Sequence, residues 1–340
     1  MTELAEQAVI DFFTYPSVGQ EDWRYTYATA VVRSLETQML TRGALVDMAN
    51  AEDFGAAADL LSSSEYVAAG VEFEETLRQR RSAARALFSD LMIDKAIVDL
   101  LRTKEDFANI RLALRRKLTG KPIGVDYSDD GNVPAEQFEQ IFEQENHSPF
   151  PYRMQEAIER AVLAYYQNKD IRQIDYELDA AHAEYGVGRA KELKNIFLLG
   201  LFRINIDLTN IRTMLRLKFA ESEQRNVFLE GGYVEPKRFK HGLDVGYEAL
   251  APLFFPTPYY GIVEPGVAYL LSDKSFLKLE RYCEEYLMGF LRTTVQITAG
   301  PQPVIAYLGM KEHEIRMVRL ILTGKKNNLD VKLILDRLGE

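Results

Sequence analysis

Cysteine is almost absent from this chain, since Cys283 is the one thiol among 340 residues. A single cysteine excludes an internal disulfide, as is usual for proteins of a reducing compartment. The thiol lies in YCEEY, inside a helical pattern and with no histidine nearby in the sequence. This setting predicts a packed thiol and not a reactive one.

Long hydrophobic runs are also missing. No stretch reaches the roughly 18 to 20 apolar residues that span a bilayer, so no transmembrane segment is predicted. The first residues, MTELAEQAVIDFF, carry acids where a signal peptide has basic residues, and we expect no export. The net charge of -10 argues against broad binding to nucleic acid or to anionic membranes, because both require a basic face.

The motifs of common active sites are absent too. There is no GxxxxGK[ST] loop and no GxGxxG after a strand, and the four histidines are isolated from other metal-ligating residues. The sequence therefore predicts no catalytic residue, no cofactor and no metal centre. The loop from Asp126 to Asp130, with Gly131 after it, matches the first positions of an EF-hand calcium loop. At position 12, however, Gln137 stands where that loop has a glutamate. A solvated connecting loop is the favoured interpretation and a cation site the alternative.

What the chain does contain is a repeated helix. Residues 106–117 read DFANIRLALRRK and residues 207–218 read DLTNIRTMLRLK, with seven identities in twelve positions. Asn109 follows Glu74 by 35 residues, and Asn210 follows Asp175 by the same distance, so each copy pairs an acidic upstream helix with an Asn-Ile-Arg helix. A weaker third copy has Glu280 upstream of EIRMVRLILTGK.

Glycine-marked segments that begin at Arg42, Lys121 and Gly231 precede the copies. They predict three similar helical units, which we call repeats 1, 2 and 3. Repeat 1 with an N-terminal helix covers 1–123, repeat 2 covers 124–230 and repeat 3 covers 231–340. A 3.6-residue periodicity prevails, with stripes at Phe107, Ile110, Leu114 and Leu118 and at Leu208, Ile211, Leu215 and Phe219. We expect an all-α protein.

Arginines lie at the edges of these apolar stripes. At such a position the aliphatic part of the side chain packs against the core and the guanidinium group reaches the solvent. The candidates are Arg111, Arg115, Arg212, Arg216, Arg316 and Arg319. Structural pairing with the acidic helix of the same repeat, which carries Glu74 or Asp175, is the favoured role. Lining a binding socket is the alternative. Residues 102–121 have a net charge of +5 and residues 126–145 of -7, which is typical of solvated faces and, alternatively, of a surface for partner subunits.

Several long motifs in the same order resemble the C subunit family of V-type and A-type ATPases, whose eukaryotic equivalent is called the d subunit. They are YATAVVRSLETQML, the D-x-x-N-I-R-x-x-L-R-x-K helix used twice, LEGGYVEPKRF, and GPQPVIAYLGMKEHEIRMVRLILTGKKNN. The third helix departs from the pattern, with Glu314 at the Asn position and Arg319 near the Leu position.

The resemblance implies a pseudo-threefold funnel of three helical units and a non-catalytic subunit of the central stalk. It would couple the shaft subunits to the membrane rotor ring on the cytoplasmic face, one copy per complex and monomeric alone. It implies no direct membrane insertion. A helical-repeat adaptor unrelated to rotary ATPases is the alternative, and an all-α enzyme is a weaker one.

Overall fold

A computed structural model describes residues 15–66, 72–120 and 126–339 of the chain. The first fourteen residues and residues 121–125 of the second glycine-marked segment lie outside this part. Within the described residues the chain forms α-helices and short 3₁₀ turns and no strand, so the all-α prediction is confirmed. The helices are α1 Thr26–Glu36, α2 Arg42–Asn50, α3 Phe54–Asp59, α4 Phe73–Leu91, α5 Lys95–Thr119, α6 Phe138–Glu143, α7 Tyr152–Asn168, α8 Arg172–Glu192, α9 Ile196–Phe219, α10 Pro236–Asp244, α11 Leu250–Leu253, α12 Tyr260–Asp273, α13 Leu277–Arg292, α14 Pro301–Lys326 and α15 Val331–Leu338.

The three Asn-Ile-Arg or Glu-Ile-Arg helices are the longest in the described chain: α5 has 25 residues, α9 has 24 and α14 has 26. At 1.5 Å per residue each is roughly 36–39 Å long. Proline at the first position of α14 and the left-handed Gly120 after α5 mark helix ends, as is common for these residue types. Gly324 lies inside α14, where a Cβ would meet Ile334 Cδ1 at 2.8 Å.

The described helices group into two compact units. One unit comprises the residues up to Ile93 with those from Val245 onward, and the other runs from Asp94 to Asp244. The boundaries expected near 123 and 230 lie inside the second unit, because compactness follows helix contacts and not the start of each repeat. The division into repeats and the pseudo-threefold funnel stay predictions.

In the unit from Asp94 to Asp244, α8 packs against α5, α7 and α9. The predicted stripe of α5 is buried: Phe107, Ile110 and Leu114 enter a core built with residues of α6, α7 and α8, and Leu118 packs at its edge. In α9, Leu208, Ile211 and Leu215 are buried, but Phe219 is 43% exposed. The prediction that Phe219 belongs to the buried stripe was wrong, because this residue is the last of α9 and is not fully covered by the neighbouring helices.

In the other unit α14 packs against α1, α2, α3, α4 and α13, and α15 packs against α2 and α13. A core of Met48, Leu77, Val318, Ile321 and Ile334 joins α2, α4, α14 and α15. Helix α1 ends at Glu36, and Ala28 and Val32 belong to its buried face. The packed thiol predicted for Cys283 is confirmed, since the residue is fully buried.

Candidate functional site

In the repeated helix α5, Asp106 and Asn109 are at most 3% exposed and bind the backbone of a later segment. We call such a pair of side chains a clamp. The Asn109 amide donates to the Ser128 carbonyl at 2.8 Å and accepts from the Ser128 N–H at 2.9 Å. Asp106 Oδ1 accepts the N–H groups of Asn132 at 2.8 Å and of Val133 at 3.1 Å. Two side chains thus satisfy four backbone groups of the segment that opens repeat 2.

Helix α9 repeats the clamp with the same spacing. The Asn210 amide donates to the Leu229 carbonyl at 2.9 Å and accepts from the Leu229 N–H at 2.8 Å. Asp207 accepts the N–H groups of Tyr233 at 2.9 Å and of Val234 at 3.1 Å. The clamped segment, residues 229–234, spans the boundary between repeats 2 and 3. The identity of the D-x-x-N motif therefore has a structural cause, which neither the apolar stripe nor the arginines reveal.

Each clamp also requires one glycine. A Cβ on Gly131 would lie 2.4 Å from Asp106 Oδ1, and a Cβ on Gly232 would lie 2.1 Å from Asp207 Oδ1. Both distances are too short for a side chain, so only glycine lets the backbone approach the carboxylate. Gly131 and Gly232 are 101 residues apart, like the repeated helices, and this spacing was the signal available in the sequence.

This geometry accounts for the Asp126 to Asp130 loop without a cation. The Asn109 amide fixes the loop backbone at Ser128, and the Asp106 carboxylate fixes Asn132 and Val133, which follow the loop. Gly131 allows the backbone to approach Asp106 closely. Within residues 15–66, 72–120 and 126–339, no three His, Cys, Asp or Glu side chains converge to hold a metal ion. Burial raises the pKa of Asp106, and the hydrogen bonds from Val133 and Asn132 oppose that rise.

The third helix, α14, has Lys311 and Glu314 at the Asp and Asn positions, and both are buried. Glu314 Oε2 accepts the Leu40 N–H at 2.6 Å, and Glu314 also accepts from the Tyr66 hydroxyl. Lys311 pairs with Glu314 and Glu65. Burial, with the nearby Glu314, raises the pKa of Tyr66 and keeps this hydroxyl a donor.

Leu40 lies just before the segment that opens repeat 1. Helix α5 therefore holds the start of repeat 2, α9 holds the start of repeat 3, and α14 holds the start of repeat 1. The third clamp is reduced: Glu314, at the Asn position, accepts one backbone N–H, and Lys311, at the Asp position, pairs with carboxylates.

The candidate arginines of α5 form ion pairs with α8. Arg111 and Arg115 both contact Asp175, with Arg111 Nε 3.3 Å from Asp175 Oδ1, and Arg111 also contacts Asp179. Residues 175 and 179 are one helical turn apart and face α5. The guanidinium side chains are about one third exposed, at 33% and 38%. Pairs this exposed contribute roughly 0.2–1 kcal/mol each.

The expectation that these pairs stay within one repeat was wrong. Asp175 belongs to repeat 2, whereas Arg111 and Arg115 belong to repeat 1. The acidic helix of repeat 1 pairs instead with α14, since Glu74 Oε2 lies 3.0 Å from Arg319 Nε of repeat 3. The reason is packing: α8 lies against α5, and α4 lies against α14.

Within the part of the chain that the structure describes, Arg212, Arg216 and Arg316 take no part in the ion pairs with Asp175, Asp179 or Glu74. Arg212 is half-buried and Arg216 exposed on α9, and Arg316 is exposed on α14. A role for any of the six arginines in binding another subunit stays a prediction.

The chain matches the family model for the ATP synthase (C/AC39) subunit over residues 28–337. It belongs to this family. The V-type sodium ATPase C subunit of Enterococcus hirae is 23% identical over 324 residues, which cover 93% of this chain and 98% of that protein. The V-type ATP synthase C subunit of Thermus thermophilus is 28% identical over 240 residues, or 67% of this chain and 69% of the relative.

An archaeal relative extends the match. The A-type ATP synthase C subunit of Thermococcus onnurineus is 23% identical over 345 aligned positions, covering 94% of this chain and 92% of that protein. Across the helices that the structure describes, none combines the length and apolar character needed to cross a membrane.

Proposed function

We propose that this family member is the non-catalytic subunit of the central stalk of a rotary V/A-type ATPase. In this proposal it is a spacer that couples the shaft subunits to the membrane rotor ring during ion transport or ATP synthesis. The family match over residues 28–337 carries the proposal. It also argues against the alternative of a helical-repeat adaptor unrelated to rotary ATPases.

The clamps support a mechanical role. A spacer in a rotor must pass torque on without yielding, so each helix has to be fixed to the segment that follows it. Asp207 and Asn210 do this through hydrogen bonds that are mostly buried, and Asp106 and Asn109 do it through bonds of which that to the Val133 N–H is buried and those to Ser128 are part-buried. A long helix with its connecting segment locked in this way is stiffer than one that ends in a free loop.

The proposed partners are the shaft subunits and the ring subunits, with one copy of this chain per complex at the cytoplasmic face of the membrane. Among the candidate arginines, Arg316 is the best placed for a partner: it is exposed on α14, and its guanidinium forms no ion pair within the described residues. Its surroundings leave it free to meet a carboxylate of another subunit.

Pulldown at low salt tests the proposal. The tagged chain should capture the shaft and ring subunits of the same host but not an isolated catalytic subunit. Arg316→Gln should weaken capture of one of the two partners, whereas Arg160→Gln, on the exposed side of α7, should not. Capture of neither partner, with the ring supplied in detergent, would refute the proposal.

A further inference from the structure

A cavity of about 610 Å³ lies in the compact unit that contains α14. Residues of α1, α2, α13, α14 and α15 line it, together with the 3₁₀ turn Thr293–Gln296. This volume is within the range of roughly 300–1,000 Å³ typical of small-molecule sites. Glu314 and Leu40 are part of the lining, so the third clamp forms one wall.

The wall has an apolar part rich in methionine. Met39, Met288, Met310 and Met317 line the cavity with Leu45 and Val46. The unbranched, polarisable thioether side chains adapt to ligands of different shape. This part fits an alkyl or other apolar group.

The polar part is dominated by arginine. Five arginines and four glutamates line the cavity, so the lining keeps one positive charge while His313 is neutral. Burial lowers the pKa of His313 to about 4, which keeps its imidazole neutral near pH 7.

Most of these guanidinium groups are already engaged. Arg33 lies 2.8 Å from Glu36, Arg337 lies 2.6 Å from Glu284, and Arg42 donates to the Gly339 carbonyl. Arg292 differs, because it is exposed and forms no ion pair with a carboxylate within the described residues. It is the guanidinium that can receive an anion.

Three further polar atoms in the lining are unsatisfied. Arg281 Nε, Glu284 Oε2 and His313 Nδ1 are buried and have no hydrogen-bond partner in the described chain. His313 Nδ1 lies 3.8 Å from Glu284 Oε2, beyond hydrogen-bond distance. Arg281 Nε lies 3.6 Å from Glu285 Oε1, also beyond hydrogen-bond distance. Buried polar groups without hydrogen bonds are rare and costly, so their presence in one cavity indicates a polar ligand. Arg281 Nε, and His313 Nδ1 when it carries the imidazole proton, can donate to an anionic group, whereas Glu284 Oε2 only accepts and requires a donor on the ligand, such as the hydroxyl of a monoanionic phosphate.

We propose that this cavity binds a small amphipathic anion, with one phosphate or carboxylate group and an apolar chain. Arg292 pairs with the anionic group, and neutral His313 donates a hydrogen bond to it. The methionine wall packs against the apolar chain. This site is separate from the proposed coupling role, because it requires no other subunit.

The probe is octyl phosphate, added to the purified full-length chain below its micelle concentration and followed by isothermal titration calorimetry. We expect saturable binding of one molecule per chain. Inorganic phosphate, which lacks the chain, should bind at least tenfold more weakly, and octyltrimethylammonium, which reverses the charge, should not bind.

Variants assign the binding to the cavity. Arg292→Gln and, independently, Met310→Gln should each weaken octyl phosphate binding at least tenfold. Arg292→Lys should restore part of the loss, and Arg160→Gln, which does not line the cavity, should bind as the unaltered chain does. Circular dichroism verifies that each variant is folded.

Equal binding of the ammonium probe would overturn the proposal, since the cavity would then be a plain apolar crevice. So would unchanged binding by folded Arg292→Gln, or no binding at all. Vesicles of phosphatidylglycerol distinguish the source of the anion: binding to vesicles without binding to monomeric octyl phosphate would indicate a membrane surface and contradict the cavity.

Discussion

Replacing Asn210 with alanine should break the clamp that α9 places on the segment just before repeat 3. The side chain makes two hydrogen bonds to Leu229, at 2.9 Å and 2.8 Å, and both residues are buried. The variant leaves a backbone N–H and a backbone carbonyl without partners. Each orphaned group costs roughly 1–3 kcal/mol, so we expect a loss of about 3 kcal/mol.

The equivalent change in α5, Asn109→Ala, removes the same two bonds to Ser128. Ser128 is half-buried, so water reaches the freed groups and the loss should be smaller, at about 1–2 kcal/mol. Asn205→Ala is the matched control, because this exposed asparagine of α9 bonds only to a carbonyl one turn earlier in its own helix. It should change stability by under about 0.5 kcal/mol.

Hydrogen exchange at the Leu229 amide measures the effect locally, and urea unfolding followed by circular dichroism measures it globally. In Asn210→Ala the protection of this amide should fall about a hundredfold, corresponding to the expected loss of free energy. Unchanged protection at Leu229, or equal destabilisation by Asn210→Ala and Asn205→Ala, would show that Asn210 does not hold this segment.

Three other changes test the same account. Gly232→Ala should destabilise the chain by about 2 kcal/mol or more in urea unfolding, because its Cβ would lie 2.1 Å from Asp207 Oδ1, whereas Gly261→Ala, with open space around it, should not. Asp175→Asn should cost about 1 kcal/mol at low salt and less at 1 M salt, since its ion pairs with Arg111 and Arg115 are partly exposed; equal losses at both salt concentrations would contradict this. Burial, with Phe107 beside the ring, lowers the pKa of His182 from 6.5 to about 4. Because the unfolded chain then takes up the proton at higher pH than the folded chain, the free energy of unfolding should fall by about 3 kcal/mol as the pH drops from about 6.5 to 4. His182→Phe should flatten that pH dependence.

The helices of the repeats could be predicted because their apolar stripes follow the helical period closely. Phe107, Ile110 and Leu114 are buried as the spacing indicates. The prediction failed at the helix end, where Phe219 has left the packed part of α9. Periodicity identifies a face but does not say how far a neighbouring helix extends along it.

The partners of the arginines could not be predicted in the same way. Sequence spacing relates Glu74 to the helix of its own repeat, but the pair that forms is with Arg319, because α4 packs against α14. Tertiary packing decides which of several similar acidic helices lies beside a given arginine. A single sequence does not reveal that packing.

The clamps were predictable in part. Asp106 and Asp207 recur with Asn109 and Asn210, and Gly131 recurs as Gly232, all at one spacing of 101 residues. Polar residues at fixed positions of an otherwise apolar helix face indicate a structural task. The task itself, binding the backbone of the next repeat, becomes clear only when helix and loop are seen together.

We propose that this chain transmits rotation and does not catalyse. ATP-driven ion transport into vesicles that carry the complete ATPase, compared with vesicles assembled without this chain, tests this role directly. Without the chain we expect ATP hydrolysis by the soluble head to continue while transport stops, and adding the purified chain should restore transport. Transport that persists without the chain, or ATP hydrolysis by the chain alone, would contradict the proposed role.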